Sequence, residues 1–234
     1  VGCFLSNELV DSFPVHRVAV IQGELQEVHV GCEGGRLVEV LGPPSTQELR
    51  RYFQRLSLLP GEGCRAEVNL AALRWMKSVG EALERGIVIT FDYGYEAAEL
   101  YAPWRRDGTL LCFYRHAASA DPFARLGYQD MTAHVDFTGL VEQGRRWGLE
   151  PLALITQARF LIALGIGAGL RPALAAGRAD LEEYYARRRA VLELTDPARL
   201  GRIKVLLQAK GVAGCEGLWC LKQAMAGVEE ANGP

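Results

Sequence analysis

Apolar residues in this chain fall into two kinds of segment, which predict strands and helices in alternation. Residues 2–6 and 86–91 are short, mostly apolar runs that predict buried strands. The Ser-x-x-Glu sequence from Ser45 to Glu48 is typical of a helix start, and apolar positions at helical spacing follow it over residues 49–56. Alternating strands and helices predict an α/β fold with a largely parallel sheet.

Other segments complete this prediction. Residues 16–31 alternate between apolar and polar positions around Gly23, which predicts a hairpin, and residues 35–42 predict a third strand. We therefore expect one α/β domain over residues 1–234, with a β-rich insertion over residues 16–60. A helix is expected to start at Asn69. The run over residues 202–211 predicts a late antiparallel strand at a sheet edge, and residues 170–180 predict a loop.

Composition excludes several classes of function. The chain has 234 residues, a formal net charge of -2 and a pI near 6.2, so a basic nucleic-acid surface is not expected. Apolar runs fall short of the roughly 20 residues of a membrane span. Its six cysteines form no C-x-x-C pair, which predicts buried free thiols and no zinc or other metal site.

Polar side chains follow the two predicted parallel strands. Asn7, Glu8 and Asp11 come after the first strand, and Asp92 and Tyr93 come after the second. Ligands of α/β sheets bind outside the carboxyl ends of the strands, so neighbouring strands would bring these acids into one crevice. A pair of carboxylates suits a guanidinium ligand. Asn7 and Asp11 could instead cap the next turn.

A second polar cluster precedes a predicted helix. Residues 127–137, GYQDMTAHVDF, contain Gln129, Asp130 and His134, and this density of polar residues predicts a loop that faces a substrate. Asp136 is expected to be the N-cap of the helix that follows, and His134 is as well explained by a structural hydrogen bond. GxSxG, Walker A and HExxH motifs are absent from the sequence, and GIGAGL at 165–170 follows a predicted helix, which is the wrong context for a dinucleotide loop.

Three segments together resemble the MidA-like family of class I methyltransferases, which includes a mitochondrial complex I assembly factor. They are SNELVDSFPVHRV, FDYGY and GTLLCFYRHAASADPFARLGYQDMTAHVDF, and the resemblance runs from about Gly2 to Gly211. It implies part of a Rossmann-like methyltransferase sheet, with a β-hairpin and helix insertion and extra C-terminal helices.

The same resemblance implies an enzyme that uses S-adenosylmethionine to methylate a protein side chain, with arginine as the expected acceptor. It makes Glu8, Asp11 and Asp92 the candidate catalytic residues and Asn7 a candidate cofactor residue. Candidate substrate-binding residues are Tyr93, Gln129, Asp130 and His134. The family's glycine-rich cofactor loop and its ribose-binding acid lie upstream of the Asn-Glu motif, so we expect this segment alone to bind the cofactor weakly or not at all.

The resemblance also bears on partners and location. It implies a protein substrate and leaves a homodimer open, and a partner chain could cover the exposed strand edge that an incomplete sheet would have. A cytoplasmic location is expected, or a mitochondrial one in a eukaryote. Two other functions stay open: a non-catalytic binding or assembly factor derived from a methyltransferase fold, and a hydrolase that uses Asp92 and His134.

Overall fold

The structure, a computed structural model, describes residues 1–115, 117–170 and 178–212. Its strands are β1 (Gly2–Asn7), β2 (His16–Ile21), β3 (Glu24–Glu33), β4 (Arg36–Gly42), β5 (Arg65–Val68), β6 (Gly86–Asp92), β7 (Gly94–Tyr95), β8 (Leu111–Tyr114), β9 (Ala117–Ser119), β10 (Asp130–Thr132), β11 (Val135–Asp136), β12 (Glu150–Thr156) and β13 (Lys204–Lys210). Its α-helices are α1 (Gln47–Leu56), α2 (Leu70–Ala82), α3 (Ala97–Leu100), α4 (Phe137–Arg146), α5 (Gln157–Ala163) and α6 (Arg178–Thr195).

The chain divides into two compact units, and the fold is α/β, as predicted. The first unit comprises Val1–Asn7, Leu83–Tyr93 and Gly148–Pro234, and the second comprises Glu8–Ala82 and Gly94–Trp147. The single domain and the insertion over residues 16–60 stay predictions. Most of the loop expected over residues 170–180 lies outside the described residues. None of the described helices has the length and apolar character that crossing a membrane requires.

The first unit is built on a four-stranded sheet with the order β1-β6-β13-β12. β1 and β6 are parallel, from Gly2 opposite Gly86 to Asn7 opposite Phe91, while β13 is antiparallel to both of its neighbours. The prediction that the first two apolar runs are neighbouring parallel strands is therefore confirmed. Their carboxyl ends lie at the same edge of the sheet.

β13 was expected at a sheet edge, and this prediction is wrong. It is an inner strand, because β6 and β12 bind its two sides. Its middle five residues are buried, which is typical of a strand covered on both faces. One of these faces packs against α5: the core formed by Ile155, Phe160, Ala163, Val205 and Leu207 lies there.

Among the described strands, β1 and β12 are the two edge strands of this sheet. The β1 side chains Phe4 and Leu5 are 37% and 69% exposed. An apolar edge strand with unpaired backbone groups is a site for pairing with further chain. The exposed strand edge that the sequence predicts is thus found at β1.

The second unit contains an antiparallel sheet with the order β4-β3-β2-β5. The predicted hairpin is confirmed: β2 pairs with β3 in the register Ile21 opposite Glu24. Gln22 and Gly23 connect them with φ of 54° and 76°, the backbone geometry that two-residue hairpin turns need. The third predicted strand is β4, which pairs with β3 along its whole length.

Helix α1 packs on this sheet through Leu49, Tyr52 and Phe53, which are all buried. The predicted helix is confirmed, but its predicted N-cap is wrong. Thr46 is the cap, since its side chain accepts a hydrogen bond from the Glu48 N–H. The N–H of Ser45 instead donates to the Glu27 carboxylate, a partner 18 residues away that a local sequence pattern does not reveal.

Helix α2 begins where the sequence predicts. The Asn69 side chain accepts a hydrogen bond from the Ala72 N–H at 2.8 Å, which caps the helix, and it donates to the Val10 carbonyl oxygen at 3.0 Å. One amide therefore fixes both the helix start and the turn that carries Glu8 and Asp11. The unit is completed by the small sheet β10-β8-β9 and the parallel pair β11-β7.

Candidate functional site

The first unit places Asn7, Asp92 and Tyr93 at one edge of its sheet. Asn7 ends β1 and is exposed, and its register partner is Phe91, the residue before Asp92. Asp92 ends β6 and is fully buried, and its Oδ1 accepts a hydrogen bond from the Tyr93 N–H at 2.9 Å. An exposed amide and a buried carboxylate thus end adjacent parallel strands, where α/β sheets bind ligands.

Sequence analysis did not single out Lys204, which lies opposite Asp92 in the antiparallel register of β6 and β13. Cross-strand partners lie on the same face of a sheet, so this pairing puts an ammonium and a carboxylate on one face. The sequence alone does not reveal this pair, because it depends on the pairing of strands that are more than a hundred residues apart.

The second unit contains the turn with the two other candidate acids. Glu8 is exposed and has a φ of 45°, a left-handed conformation that is uncommon for a residue with a side chain. Asp11 is only 5% exposed. Burial raises the pKa of the Asp11 carboxyl above its usual range, and the negative charge of Glu8 raises it further.

These observations favour a cation as the natural ligand of the turn. A positive charge near Asp11 and Glu8 would relieve their mutual repulsion and stabilise their ionised forms. Two hydrogen bonds stabilise the turn: the Phe13 N–H donates to the Val10 carbonyl oxygen, and the Ser12 hydroxyl donates to the Leu9 carbonyl oxygen. The left-handed backbone of Glu8 also supports a functional role for the turn, because sparsely populated backbone conformations cluster at functional sites.

The polar loop over residues 127–137 also lies in the second unit. The Ala133 N–H donates to the Asp11 carbonyl oxygen at 3.0 Å, so the loop is joined to the turn that carries the acids. The His134 N–H donates to the Thr109 hydroxyl at 3.0 Å. His134 therefore sits one residue from a direct contact with the Asp11 backbone.

The remaining candidates of this loop have different surroundings. The Gln129 amide donates to the Pro122 carbonyl oxygen at 2.9 Å and so stabilises the neighbouring segment. Asp130 begins β10 and is exposed. Their predicted roles as substrate-binding residues stay predictions, although the Gln129 contact is of the kind that supports a loop.

Asp136 is the N-cap residue of α4, as expected. Its carboxylate also accepts a hydrogen bond from the Tyr52 hydroxyl at 2.5 Å. The Tyr52 and Tyr101 hydroxyls are 2.7 Å apart, and Tyr101 donates to the Glu67 carbonyl oxygen at 3.1 Å. Burial raises the pKa of Asp136 to about 6, against the opposing effects of the hydrogen bonds from Tyr52 and from the backbone at the start of α4. This buried chain was missed because its members are far apart in the sequence.

The second unit also contains a cavity of about 580 Å³ with a charged wall. His134 lines it, together with Arg17, Glu39, Arg65 and Arg105. A cavity of this size is in the range of small-molecule and side-chain binding sites. Sequence analysis had assigned a role only to His134 among these residues.

Metal and thiol chemistry find little support. Within the described ranges, no group of three or more His, Cys, Asp or Glu residues could hold a metal ion. Cys64 and Cys112 are free and buried, as expected, whereas Cys3 and Cys32 are free but exposed, contrary to the expectation of buried thiols. The two other cysteines lie outside the described residues.

Comparison with known families gives a match over residues 1–155 to the family described as "Putative S-adenosyl-L-methionine-dependent methyltransferase". The chain is similar to the Drosophila melanogaster protein named "Protein arginine methyltransferase NDUFAF7 homolog, mitochondrial". The two are 30% identical over 225 residues, which cover 89% of this chain and 47% of that protein.

Two crystal structures from Burkholderia thailandensis are also similar to the chain. One is a COG1565 superfamily member bound to S-adenosyl-homocysteine, with a TM-score of 0.83 and 32% identity over 96% of this chain and 56% of that one. The other is a native structure from the same superfamily, with a TM-score of 0.82 and 33% identity over 91% of this chain and 56% of that one. The chain thus spans about half the length of the relatives it matches.

Proposed function

This chain belongs to the family of S-adenosyl-L-methionine-dependent methyltransferases, and from that premise we propose that it is the acceptor-binding part of an enzyme that methylates a protein side chain, with arginine as the acceptor. Support for the acceptor comes from the name of the Drosophila melanogaster relative, a protein arginine methyltransferase. The turn with Glu8 and Asp11 supports it independently, since a carboxylate pair suits a guanidinium.

The residues at the strand ends of the first unit fit a bound cofactor. S-adenosylmethionine supplies an electrophilic sulfonium methyl group when bound. Asn7 is exposed at the carboxyl end of a parallel strand, so its amide is available to hydrogen-bond such a ligand. Asn7 contributes one contact to the cofactor in this proposal.

The single observation that carries the acceptor proposal is the electrostatic state of the turn. Burial raises the pKa of Asp11 above its usual range, and repulsion by the exposed Glu8 raises it further. A guanidinium stays protonated in proteins and is a poor nucleophile. Two carboxylates bind it, align one nitrogen and draw positive charge away from that nitrogen. His134 or Asp92 is the proposed acceptor of the proton that is released on methylation, and His134 belongs to the same unit as the turn.

The alternative function is a binding or assembly factor without turnover, which would need no bound cofactor. This alternative predicts tight binding of a protein partner without any transfer of methyl groups. Location, whether cytoplasmic or mitochondrial, stays a prediction under either function.

Transfer of label tests the proposal. The full-length protein is incubated with S-adenosylmethionine that carries a tritiated methyl group and with a protein extract of its source cells; the protein fraction is then hydrolysed and its amino acids separated. The proposal predicts label in methylated arginine. Label in another amino acid would contradict arginine as the acceptor. Absence of transfer together with absence of micromolar cofactor binding in calorimetry would favour the non-catalytic alternative.

A further inference from the structure

We propose that the 580 Å³ cavity of the second unit binds the carboxylate of an acidic side chain in a peptide, through the guanidinium of Arg105. Binding of the carboxylate does not depend on the proposed function. The identification of the peptide as part of the methyl acceptor protein rests on the proposed function. The basis of the inference is the pattern of ion pairs in the cavity wall, in which Arg105 has no carboxylate partner among the described residues.

Two of the three arginines in the wall are neutralised by glutamates. Arg17 and Arg65 contact the two different carboxylate oxygens of Glu39, and the Arg17 Nε lies 3.4 Å from a carboxylate oxygen of Glu67. Glu67 is buried and also accepts hydrogen bonds from the Thr109 N–H at 2.6 Å and the Thr109 hydroxyl at 3.1 Å. This cluster has two positive and two negative charges, so it holds the wall in place and leaves no net charge for a ligand.

Arg105 differs from the other two arginines. Among the described residues, no carboxylate lies within ion-pair distance of its guanidinium, and no protein group accepts a hydrogen bond from that guanidinium. Its Nε is shielded from solvent without a partner. A guanidinium in this state is incompletely solvated, so an added acceptor at its terminal nitrogens would be stabilised more than at a fully exposed arginine.

The guanidinium of Arg105 is also held in a defined orientation. It lies over the ring of Tyr95, 4.5 Å from the centroid, and the other neighbour of that ring is His134, at 5.2 Å between centroids. A stacked arginine has lost part of its side-chain freedom before any ligand binds, which lowers the entropic cost of a two-point hydrogen bond to a carboxylate.

The surroundings favour a carboxylate over a phosphate. Asp107 and Asp121 also line the cavity and are exposed, and they would repel a dianion more strongly than a singly charged group. Leu111 and Phe123 add apolar surface to the wall, which suits the methylene groups of a glutamate. A glutamate side chain of a peptide therefore matches the Arg105 guanidinium in charge and the apolar part of the wall in hydrophobicity.

Binding of short peptides tests this inference without any methyl transfer, so its outcome is independent of the proposed function. Arginine side-chain Nε–H signals are followed by NMR in the full-length protein, labelled with ¹⁵N-arginine, during titration with acetyl-Gly-Glu-Gly-amide. We expect a saturable shift of the Arg105 signal and no saturable shift with the glutamine version of the peptide. An equal response to both peptides, or a tighter response to the phosphoserine version, would overturn the inference.

Three variants complete the test. Arg105→Gln should abolish saturable binding of the glutamate peptide, detected by calorimetry. Arg105→Lys keeps the charge without the planar fork and should weaken binding about tenfold. Arg106→Gln removes a neighbouring exposed arginine that does not line the cavity and should leave the affinity unchanged. Peptide binding by Arg105→Gln at the affinity of the unchanged protein would show that Arg105 is not the binding residue.

Discussion

Replacement of Asp136 by asparagine should change how the stability of the protein depends on pH. Three hydrogen-bond contacts link Asp136, Tyr52, Tyr101 and the Glu67 carbonyl oxygen, but the two tyrosine hydroxyls supply only two protons. A neutral Asp136 supplies the third proton, and every contact of the buried chain is then a hydrogen bond. An asparagine side chain also donates, and it carries no charge at any pH.

The magnitude follows from the pKa of Asp136, which is about 6 in the folded protein and 3.8 as its ordinary value. Because the folded-state pKa is raised, the stability linked to the neutral acid is fully present below the unfolded pKa and is lost as the pH rises through the folded pKa. The shift corresponds to a loss of about 3 kcal/mol in total, of which about 2 kcal/mol falls between pH 4 and pH 7.

Urea unfolding of the unchanged protein and of Asp136→Asn at several pH values measures the pH-dependent contribution of Asp136 to the free energy of unfolding. The difference in free energy of unfolding between the two proteins should move by about 2 kcal/mol in favour of the asparagine variant from pH 4 to pH 7. Glu33→Gln, which removes an exposed acid outside this buried chain, serves as the control. A stability difference between Asp136→Asn and the unchanged protein that does not vary with pH would refute the reasoning about Asp136.

Three further predictions concern buried contacts of the second unit. In Gly94→Ala the new Cβ would lie 2.1 Å from the Val135 carbonyl oxygen, so the thermal midpoint should fall by several degrees; an unchanged midpoint would contradict the close approach. Met76→Ala empties a fully buried site and should lower the free energy of unfolding by about 2–5 kcal/mol, whereas Met76→Leu should cost under about 1.5 kcal/mol; equal losses would argue against tight packing. Tyr52→Phe removes the hydroxyl between Asp136 and Tyr101 and should lower that free energy by about 1–3 kcal/mol in urea unfolding, and a stabilised variant would be the opposite result.

Local patterns in the sequence were enough to predict the elements that end in the candidate site. β1 and β6 are apolar runs with polar residues directly after them, and the turn at Gly23 is a common hairpin signal. Long-range pairing could not be predicted in the same way. The inner position of β13 depends on two partner strands, and the sequence alone gives only its apolar run.

For the candidate site, too, the sequence predicts some features and only the structure reveals others. Glu8, Asp11 and Asp92 were predicted because their residue types follow predicted strands. The left-handed backbone at Glu8 and the burial of Asp11 required the structure. Arg105 was not predicted, because its neighbour Tyr95 and the cavity around it depend on contacts that no short motif encodes.

The most direct test of the account is the rate of methyl transfer by Glu8→Gln and Asp11→Asn in the full-length protein, with an exposed strand residue, Glu33→Gln, as the matched control. Binding of S-adenosylmethionine is measured in parallel by calorimetry. The account predicts that both site variants lose about 10- to 100-fold in transfer rate, keep their cofactor affinity and differ in this from the control. Equal transfer rates in Glu8→Gln, Asp11→Asn and the unchanged protein would contradict the central claim that this carboxylate pair binds the methyl acceptor.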